Sequence, residues 1–337
     1  MMAPSSSPNI FRYASSELSQ DAFICWLISW AKPGFSEEDA ALHKTALELI
    51  EALFEKHGHS HGTPPDSVEV RQQYNDMDVV VVLDGEIALL IEDKVHASAH
   101  SGQLDRYRST LVDEFGKENV FPIYFKTGDQ SDFQHARENG YEPFLRDDFL
   151  EVLDSGLSQG VNNDVFQNYR NHLLEMKRKV ESFEGTPVDE WPQAAWKGFF
   201  NLLQDRLGDG SWSYVPNPSG GFMGYWWHSF SSNGCRQYLQ LEGEKLCFKI
   251  AVDEEPKQRP LRQKWYERVV DAGEDESLQV EKPGRFGLGE HMTVAVFPKD
   301  YRSADEEGLI DIEETLDRLH RAENVLSLAV EEENRST

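Results

Sequence analysis

Residues 77–107 read MDVVVVLDGEIALLIEDKVHASAHSGQLDRY, and this stretch decides the fold of the first half of the chain. Two apolar runs rich in β-branched residues, 79–83 and 87–91, are separated by Asp84-Gly85, which is a strong hairpin signal. The pattern therefore predicts two adjacent antiparallel strands with acidic residues at their open ends.

The side chains at those open ends share a face only in certain registers. Because side chains alternate along a strand, Glu92 and Lys94 point one way and Asp93 points the other. A two-residue loop would place Asp78 on the wrong face. A three-residue loop, with Gly85 in the left-handed conformation and a bulge, brings Asp78 and Glu92 to one face. We predict the odd loop.

Two carboxylates and an amine on buried strands need a compensating partner, because an isolated buried charge is costly. A hard divalent cation, Mg²⁺ or Mn²⁺, would supply one, since Asp78, Glu92, the main-chain carbonyl of Asp93 and a scissile phosphate all offer oxygen ligands. Lys94 beside that cation would have a depressed pKa and could orient or deprotonate the attacking water. Judged alone, Glu-x-Lys is also a common solvated strand end, so the interpretation depends on the surrounding pattern.

Two helices flank the predicted hairpin in sequence and carry further polar pairs. Gln103 and Tyr107 are four residues apart and share a helical face, where they could hydrogen-bond phosphate oxygens or a base edge. An ordinary amphipathic helix would show the same spacing. Upstream, Glu17 and Asp21 lie on one face of a predicted helix that is opened by residues 15–21, with Ser15 or Ser16 as N-cap, and carries apolar residues as far as Trp30. Either acid could project towards a metal, or both could simply complement the helix dipole.

An early helical Glu, a strand Asp, a Glu-x-Lys strand and a Gln-x-x-x-Tyr helix, in this order, resemble the PD-(D/E)XK nuclease superfamily. The likeness is to the branch with the RecB-type Gln-x-x-x-Tyr motif. The segments NIFRYASSELSQDAFICWLISWA and IEDKVHASAHSGQLDRY are similar to those of a largely uncharacterised bacterial family in that superfamily. Met77 stands where the superfamily's name has Pro, and the specific resemblance covers residues 9–150.

The resemblance implies an α/β, restriction-endonuclease-like core built of a helix, a three-stranded meander, a helix and a strand. The implied site residues are Glu17, Asp78, Glu92 and Asp93 at the metal, Lys94 at the attacking water, and Gln103 and Tyr107 at the site and substrate. The implied activity is Mg²⁺- or Mn²⁺-dependent hydrolysis of phosphodiester bonds in nucleic acid, with DNA favoured over RNA, in bacterial defence or DNA processing. The alternative is a catalytically silent relative that binds a protein partner through its acidic surface.

A polar stretch at residues 185–187 separates the two halves and predicts domains at 9–185 and 186–330. The second half is predicted as an α+β accessory domain, or a decayed relative of the first core. Lys249 lacks an acid two residues before it, so we expect no second active site. The aromatic triplet Tyr225-Trp226-Trp227 could stack bases, but core packing of at least two of these side chains is the stronger expectation.

The charge balance argues against unaided binding of nucleic acid. Sixty acidic and 33 basic residues give a formal charge of −27, whereas nucleic-acid binders usually gain affinity by neutralising phosphates with basic residues. A local basic strip or a partner that delivers the substrate would resolve this conflict, and a protein partner or homo-oligomer is also compatible. The basic residues closest to the predicted site in sequence are Lys94, Arg106, Arg108, Lys117 and Lys126.

The remaining composition indicates a cytoplasmic protein that does not insert into membranes. The three cysteines form no disulfide or zinc-binding pattern, which favours a reducing compartment. No apolar run of about 18 residues, the length needed to span a bilayer, occurs in the sequence.

Overall fold

The computed structural model describes residues 8–14, 16–95, 102–217, 220–232 and 234–335, and it shows a mixed α/β protein. The chain divides into two compact units, Met1–Lys177 and Arg178–Thr337. The boundary between the units falls within the helix Asp164–Glu181, whereas the sequence predicts a domain boundary after residue 185. Each unit carries its own five-stranded sheet.

The first unit surrounds a mixed sheet with helices. Its helices are α1 (Glu17–Ser29), α2 (Ala40–Glu55), α3 (Gln103–Phe115), α4 (Gln134–Glu138), α5 (Arg146–Ser158) and most of α6 (Asp164–Glu181). Its strands are β1 (Val68–Tyr74), β2 (Met77–Leu83), β3 (Ile87–Lys94), β4 (Val120–Lys126) and β5 (Glu142–Leu145). The strand order is β1-β2-β3-β4-β5. The first three strands form an antiparallel meander, and α3 is the crossover that makes β4 parallel to β3.

Both faces of the first sheet are covered. On one face Val79 and Ile91 pack in a core with residues of α1, α2 and α5. On the other face Leu90 packs with Leu104 and Leu111 of α3. Burial on both sides explains why β2 and β3 read as almost continuous apolar runs rather than as an alternating pattern. Polar groups on these strands are therefore largely withdrawn from solvent, with Asp78 at the end of β2 partly exposed.

The β2–β3 hairpin has the odd loop that we predicted. The register of the two strands leaves a three-residue loop at residues 84–86, and Gly85 at its centre has a φ of +73° in the left-handed region. Followed to the open end of the hairpin, this register places Asp78 opposite Glu92. The two acids consequently lie on one face of the sheet.

The second unit has a different strand arrangement. Its helices are α7 (Gln193–Leu207), α8 (Glu255–Asp275) and α9 (Ile312–Arg335). Its strands are β6 (Ser211–Val215), β7 (Phe222–Ser232), β8 (Cys235–Glu242), β9 (Lys245–Ala251), β10 (His291–Val296), β11 (Ser303–Ala304) and β12 (Ile310–Asp311). The main sheet has the order β10-β9-β8-β7-β6 and is wholly antiparallel. It does not repeat the mixed sheet of the first unit.

The core of the second unit lies on one face of its sheet, where residues of all three helices pack. Tyr225 and Trp227 on β7 belong to this core and are 0% and 3% exposed, while Trp226 between them lies on the opposite face and is partly exposed. The expected core packing of at least two of these three aromatics is confirmed. Among the described helices, none combines the length and apolar character needed to cross a bilayer.

Candidate functional site

The open ends of β2 and β3 bring Asp78, Glu92 and Lys94 together. The Lys94 ammonium Nζ lies 2.7 Å from Glu92 Oε1 and 3.3 Å from Asp78 Oδ2. Glu92 is 0% exposed, and the Asp78 side chain, at 19% exposed, is the most accessible of the three. The fold therefore forms a buried acid–lysine–acid cluster with one accessible side, at Asp78.

The main chain of Asp93 links the two strands inside this cluster. Its amide donates a hydrogen bond to Asp78 Oδ2 at 2.9 Å, and its carbonyl accepts one from Lys94 Nζ at 2.8 Å. The carbonyl is thus among the oxygens of the site, as the sequence analysis expects, while the carboxyl group of Asp93 points to the other face of the sheet.

Gln103 and Tyr107 lie next to the cluster on α3. Gln103 Nε2 donates to Glu92 Oε1 at 3.0 Å and also to the Tyr107 hydroxyl at 3.2 Å. Tyr107 is only 4% exposed. In this structure both side chains therefore support Glu92, and contact with a substrate remains a prediction for them.

The two acids of α1 occupy different positions near the cluster. Glu17 Oε1 accepts a hydrogen bond from the Val95 amide at 3.1 Å, so it holds the chain that leaves β3. Asp21 is 1% exposed, and its Oδ2 accepts from Gln73 Nε2 at 3.3 Å. The same amide nitrogen lies 3.4 Å from Asp78 Oδ1. Asp21 is consequently the α1 acid that is connected to Asp78.

Gln73 is a further residue of the site that was not predicted from the sequence. This residue of β1 has a φ of +52°, a left-handed conformation that costs a non-glycine residue on the order of 1 kcal/mol or more. Its side chain bridges Asp21 and Asp78. A polar residue in a short strand carries no signal of its own, because only the pairing of β1 with β2 brings it beside Asp78.

A second missed feature lies on the opposite face of β3. Gln20 donates a short hydrogen bond to Asp93 Oδ1, and its own Oε1 accepts hydrogen bonds from Thr127 Oγ1 at 2.6 Å and from the Tyr169 hydroxyl at 2.8 Å. Asp93, Thr127 and Gln20 are all at most 4% exposed. This network fixes the end of β3 from behind, and thereby the positions of its site residues.

Burial controls the protonation of the acids in the site. It raises the pKa of Glu92 to about 7, with a further rise from the charge of Asp78 and an opposing effect of Lys94. It raises the pKa of Asp21 to about 6, again with a contribution from Asp78. Burial and the neighbouring Asp21 also raise the pKa of Asp93 well above its usual range. The nearby positive charge is therefore too small to offset the burial of these carboxyl groups.

The expected depression of the pKa of Lys94 does not arise from the protein's own groups. Burial by itself lowers this pKa, but the charges of Glu92 and Asp78 outweigh burial and raise it above the usual value for lysine. Lys94 is thus held as an ammonium group. It can donate hydrogen bonds in the site, and it cannot act as a base without a further positive charge beside it.

The residues present fit a hard divalent cation. In the described part of the chain no three Asp, Glu, His or Cys side chains are grouped as a complete metal site. Mg²⁺, however, is commonly held by one or two carboxylates together with waters and substrate phosphates. Asp78 and Glu92 provide such a pair, and Glu92 Oε2 is buried with no hydrogen-bond partner among the described residues. That oxygen therefore has no compensating hydrogen bond from the described residues, and it could bind a cation or a proton.

The basic residues that could form a strip near the site do not all lie on the surface. Lys126 pairs with Lys94 across β3 and β4 and is 2% exposed, so both lysines are internal. Arg106 is exposed and lies over the Tyr107 ring at 5.1 Å, and Lys117 is exposed at the far end of α3. Of the five basic residues, Lys94 and Lys126 are therefore buried, Arg108 is partly exposed, and Arg106 and Lys117 are exposed.

Comparison with known proteins finds no relative. No family model matches the sequence, and neither a curated protein nor a solved structure matches it significantly.

Proposed function

We propose that the first unit is a metal-dependent nuclease of the PD-(D/E)XK type, with a restriction-endonuclease-like core, that hydrolyses phosphodiester bonds in nucleic acid, above all in DNA. The observation that carries this proposal is the buried Glu92 carboxyl group, whose Oε2 lacks a hydrogen-bond partner among the described residues, next to Asp78 and the Lys94 ammonium. A cluster with this excess of carboxyl groups must bind a proton or a cation to lose its negative charge.

The order of the elements supports the same proposal. Helix α1 precedes the antiparallel meander of β1, β2 and β3, and α3 then crosses over to the parallel strand β4. This order, in which α2 also lies between α1 and β1, is compatible with the helix, meander, helix and strand core that the resemblance implies. Asp78 and Glu92 lie at the adjacent ends of β2 and β3, next to the N-terminal end of α3.

In this proposal Asp78, Glu92 and the carbonyl of Asp93 would hold Mg²⁺ or Mn²⁺. The cation, when bound, supplies positive charge for the phosphate oxygens and makes a water more acidic. Glu17 is close enough to raise the pKa of Lys94, which places it at the edge of the site. Asp21 is a further acid beside Asp78 that the resemblance does not name.

The protein's own side chains then orient the reactants. Lys94 is an ammonium donor, so it would hold the attacking water or a phosphate oxygen while the water attacks in line with the leaving oxygen. Gln103 keeps Glu92 in place through their 3.0 Å hydrogen bond. The buried Gln20–Asp93 contact holds β3 from the opposite face, so that these groups are already positioned before a substrate binds.

The test is incubation of the protein with plasmid, linear duplex, single-stranded DNA and RNA, each with Mg²⁺, Mn²⁺ or EDTA. We expect metal-dependent cleavage by the wild type and its loss in Asp78→Ala and Lys94→Ala. The control is Asp147→Ala, which removes an exposed carboxylate of the same unit that pairs with Lys177. Cleavage that survives in both site variants would refute the assigned site.

A catalytically silent binding protein is the second candidate, and one observation favours it. The Lys94 ammonium bridges Glu92 and Asp78, so part of their charge is already balanced within the chain. The acidic surface would then contact a protein partner. Calorimetry separates the two candidates, because the nuclease must bind Mg²⁺ or Mn²⁺ through Asp78 and Glu92. Absence of both metal binding and cleavage would favour the silent protein.

A further inference from the structure

The open face of the second unit's sheet forms a groove of about 660 Å³. The opposite face of this sheet is filled by the core. The groove is lined by side chains at alternate strand positions, including Phe222, Trp226 and Tyr238. Ligand sites in proteins typically have volumes of roughly 300–1,000 Å³. The size and position of the groove make it a candidate binding site.

Two aromatic rings form a platform in this groove. Phe222 and Trp226 are two residues apart on β7, and both are partly exposed. A Cβ atom at Gly224 between them would lie 3.3 Å from Phe222 Cε2 and 3.3 Å from Trp226 Cζ3. One edge of each ring therefore lies over a residue that has no side chain. Trp226 is flanked across the sheet by Ser211 and Gln240, which are too small or too polar to bury it.

Hydrogen-bonding groups lie directly beside the platform. Lys249 Nζ is 2.8 Å from Glu242 Oε1, and Gln240 Nε2 is 3.2 Å from the same oxygen. The three side chains are partly exposed. An ammonium, a carboxylate and an amide together offer both donors and acceptors, which is what the edge of a nucleobase requires.

The charge of the groove differs from that of the whole chain. Its lining contains two acidic residues, Asp209 and Glu242, and two basic residues, Arg236 and Lys249, together with His291. The whole chain has 60 acidic and 33 basic residues. Arg236 is exposed and lies over the Tyr238 ring at 4.9 Å. An anionic ligand therefore meets less repulsion here than over a surface of average composition.

We propose that this groove binds unpaired bases of a single-stranded nucleic acid, with a base stacked on Trp226 and its edge bonded by Gln240, Glu242 or Lys249. Aromatic platforms combined with a nearby cation are the usual means of holding single strands. A duplex keeps its base faces within its own stack, so it cannot use the platform. A peptide that binds as an added β-strand would need a sheet edge, and the groove lies on the face. The choice of nucleic acid as the ligand rests on the proposed function of the first unit.

The test measures binding in EDTA, where metal-dependent cleavage cannot occur, by fluorescence anisotropy of labelled oligonucleotides. The probes are a thymidine decamer, a decamer of the same charge without bases, the same length as duplex, and thymidine monophosphate. We expect the single strand to bind more tightly than the abasic strand and the duplex. Equal binding of the abasic strand would overturn the proposal, because phosphate contacts alone would then explain the affinity.

Substitutions of Trp226 test whether single strands bind in this groove. Trp226→Ala should weaken binding of the single strand about ten-fold or more, and Trp226→Phe should restore part of it, because base stacking needs a ring. The matched control is Tyr214→Ala, which removes a 46% exposed aromatic on β6 whose partner in the register, Met223, belongs to the core face. Thermal unfolding of each variant identifies any loss of the fold. Unchanged affinity of a folded Trp226→Ala protein would overturn the proposal.

Failure of this inference can be told apart from failure of the nuclease proposal. Asp78→Ala should abolish cleavage in Mg²⁺ and leave binding in EDTA unchanged. Binding that depends on Trp226 without any cleavage would support the groove and count against the nuclease. Cleavage without binding dependent on Trp226 would support the nuclease and refute the groove. A peptide library that binds through Trp226 when oligonucleotides do not would also refute it.

Discussion

Each unit of this protein buries a glutamate, and the two glutamates have opposite surroundings. Glu333 on α9 is 2% exposed. Its carboxylate forms ion pairs with two cations, at 2.7 Å from Lys264 Nζ and 2.8 Å from an Arg268 nitrogen. Glu92 in the first unit is 0% exposed and shares the single ammonium of Lys94 with Asp78.

The difference separates a structural acid from a candidate functional one. A buried carboxylate that has partners of opposite charge needs no further ligand, and removing one member of such a pair is strongly destabilising. A buried carboxyl group with too little positive charge around it raises its pKa and binds a proton, or it binds a cation. On this argument Glu92 is the acid that requires a ligand, and Glu333 is not.

The largest expected effect is on cleavage. Glu92→Gln should lower metal-dependent nuclease activity by about 1,000-fold, because it removes a proposed metal ligand from a site where little else can replace it. Glu333→Gln, the matched change in the second unit, should leave activity unchanged in protein that remains folded. Initial rates on the best DNA substrate at saturating Mg²⁺ check this. Equal losses in both variants would remove the distinction between the two glutamates.

The same two variants should change stability in opposite directions. Glu333→Gln should lower the free energy of unfolding by about 1–2 kcal/mol, since Arg268, whose side chain is 15% exposed, loses its shorter ion pair, while Lys264 is 45% exposed and can be solvated. Glu92→Gln should raise it at pH 8 in EDTA, because the amide removes a poorly compensated buried charge. Calorimetric melting of both variants beside the wild type measures the signs. A stability loss of similar size for Glu92→Gln would show that Lys94 already balances Glu92.

The pKa shifts of the first unit predict how stability depends on pH. Glu92 and Asp21 have raised pKa values in the folded state, about 7 and about 6, so the folded protein holds protons that the unfolded chain releases. The stabilisation contributed by these two groups in EDTA should therefore be complete below about pH 4 and be lost as the pH rises to about 7, by several kcal/mol at roughly 1.4 kcal/mol per unit of pKa shift.

Two additions sharpen this test. Mg²⁺ at pH 8 should recover the lost stability, because a cation replaces the protons. In the Glu92→Gln variant the free energy of unfolding should change less with pH in the upper part of this range, because residue 92 no longer titrates. Urea unfolding between pH 4 and 8 provides the measurement, and a wild-type stability that rises across this range would contradict the predicted sign for the cluster.

The smallest expected effect concerns Tyr107. Tyr107→Phe removes the 3.2 Å hydrogen bond with Gln103, while Gln103 keeps its bond to Glu92. We expect a stability change of about 1 kcal/mol or less and a loss of cleavage below about ten-fold. Single-turnover rates and thermal melts give both values. A loss as large as that of Glu92→Gln would show that the hydroxyl contacts the substrate directly.

Local patterns in the sequence were sufficient to predict much of the structure of the first unit. The alternation of faces along β3 and the positive φ favoured by Gly85 predict the odd loop and the shared face of Asp78 and Glu92, because both depend on neighbouring residues only. The helix α6 was also readable but was not predicted. Its buried residues Phe166, Tyr169 and Leu173 recur at intervals of three and four, which is the helical period.

Other features had no local signal. Gln73 meets Asp78 only because β1 pairs with β2, and Gln20 meets Asp93 and Tyr169 only because α1, β3 and α6 pack together. The direction of the pKa shift of Lys94 likewise depends on how close the fold brings Glu92 and Asp78. Contacts between residues distant in sequence are set by packing, so a pattern of residue types cannot reveal them.

The sequence by itself determined the hairpin, its register and the set of residue types available for chemistry, because chain stereochemistry and side-chain alternation act over a few residues. Only the tertiary structure decided which acid of α1 is connected to Asp78, how little positive charge Glu92 receives, and which ring of the aromatic triplet faces outward. Burial and electrostatic balance depend on every group that packs around a site, and these groups come from distant parts of the chain.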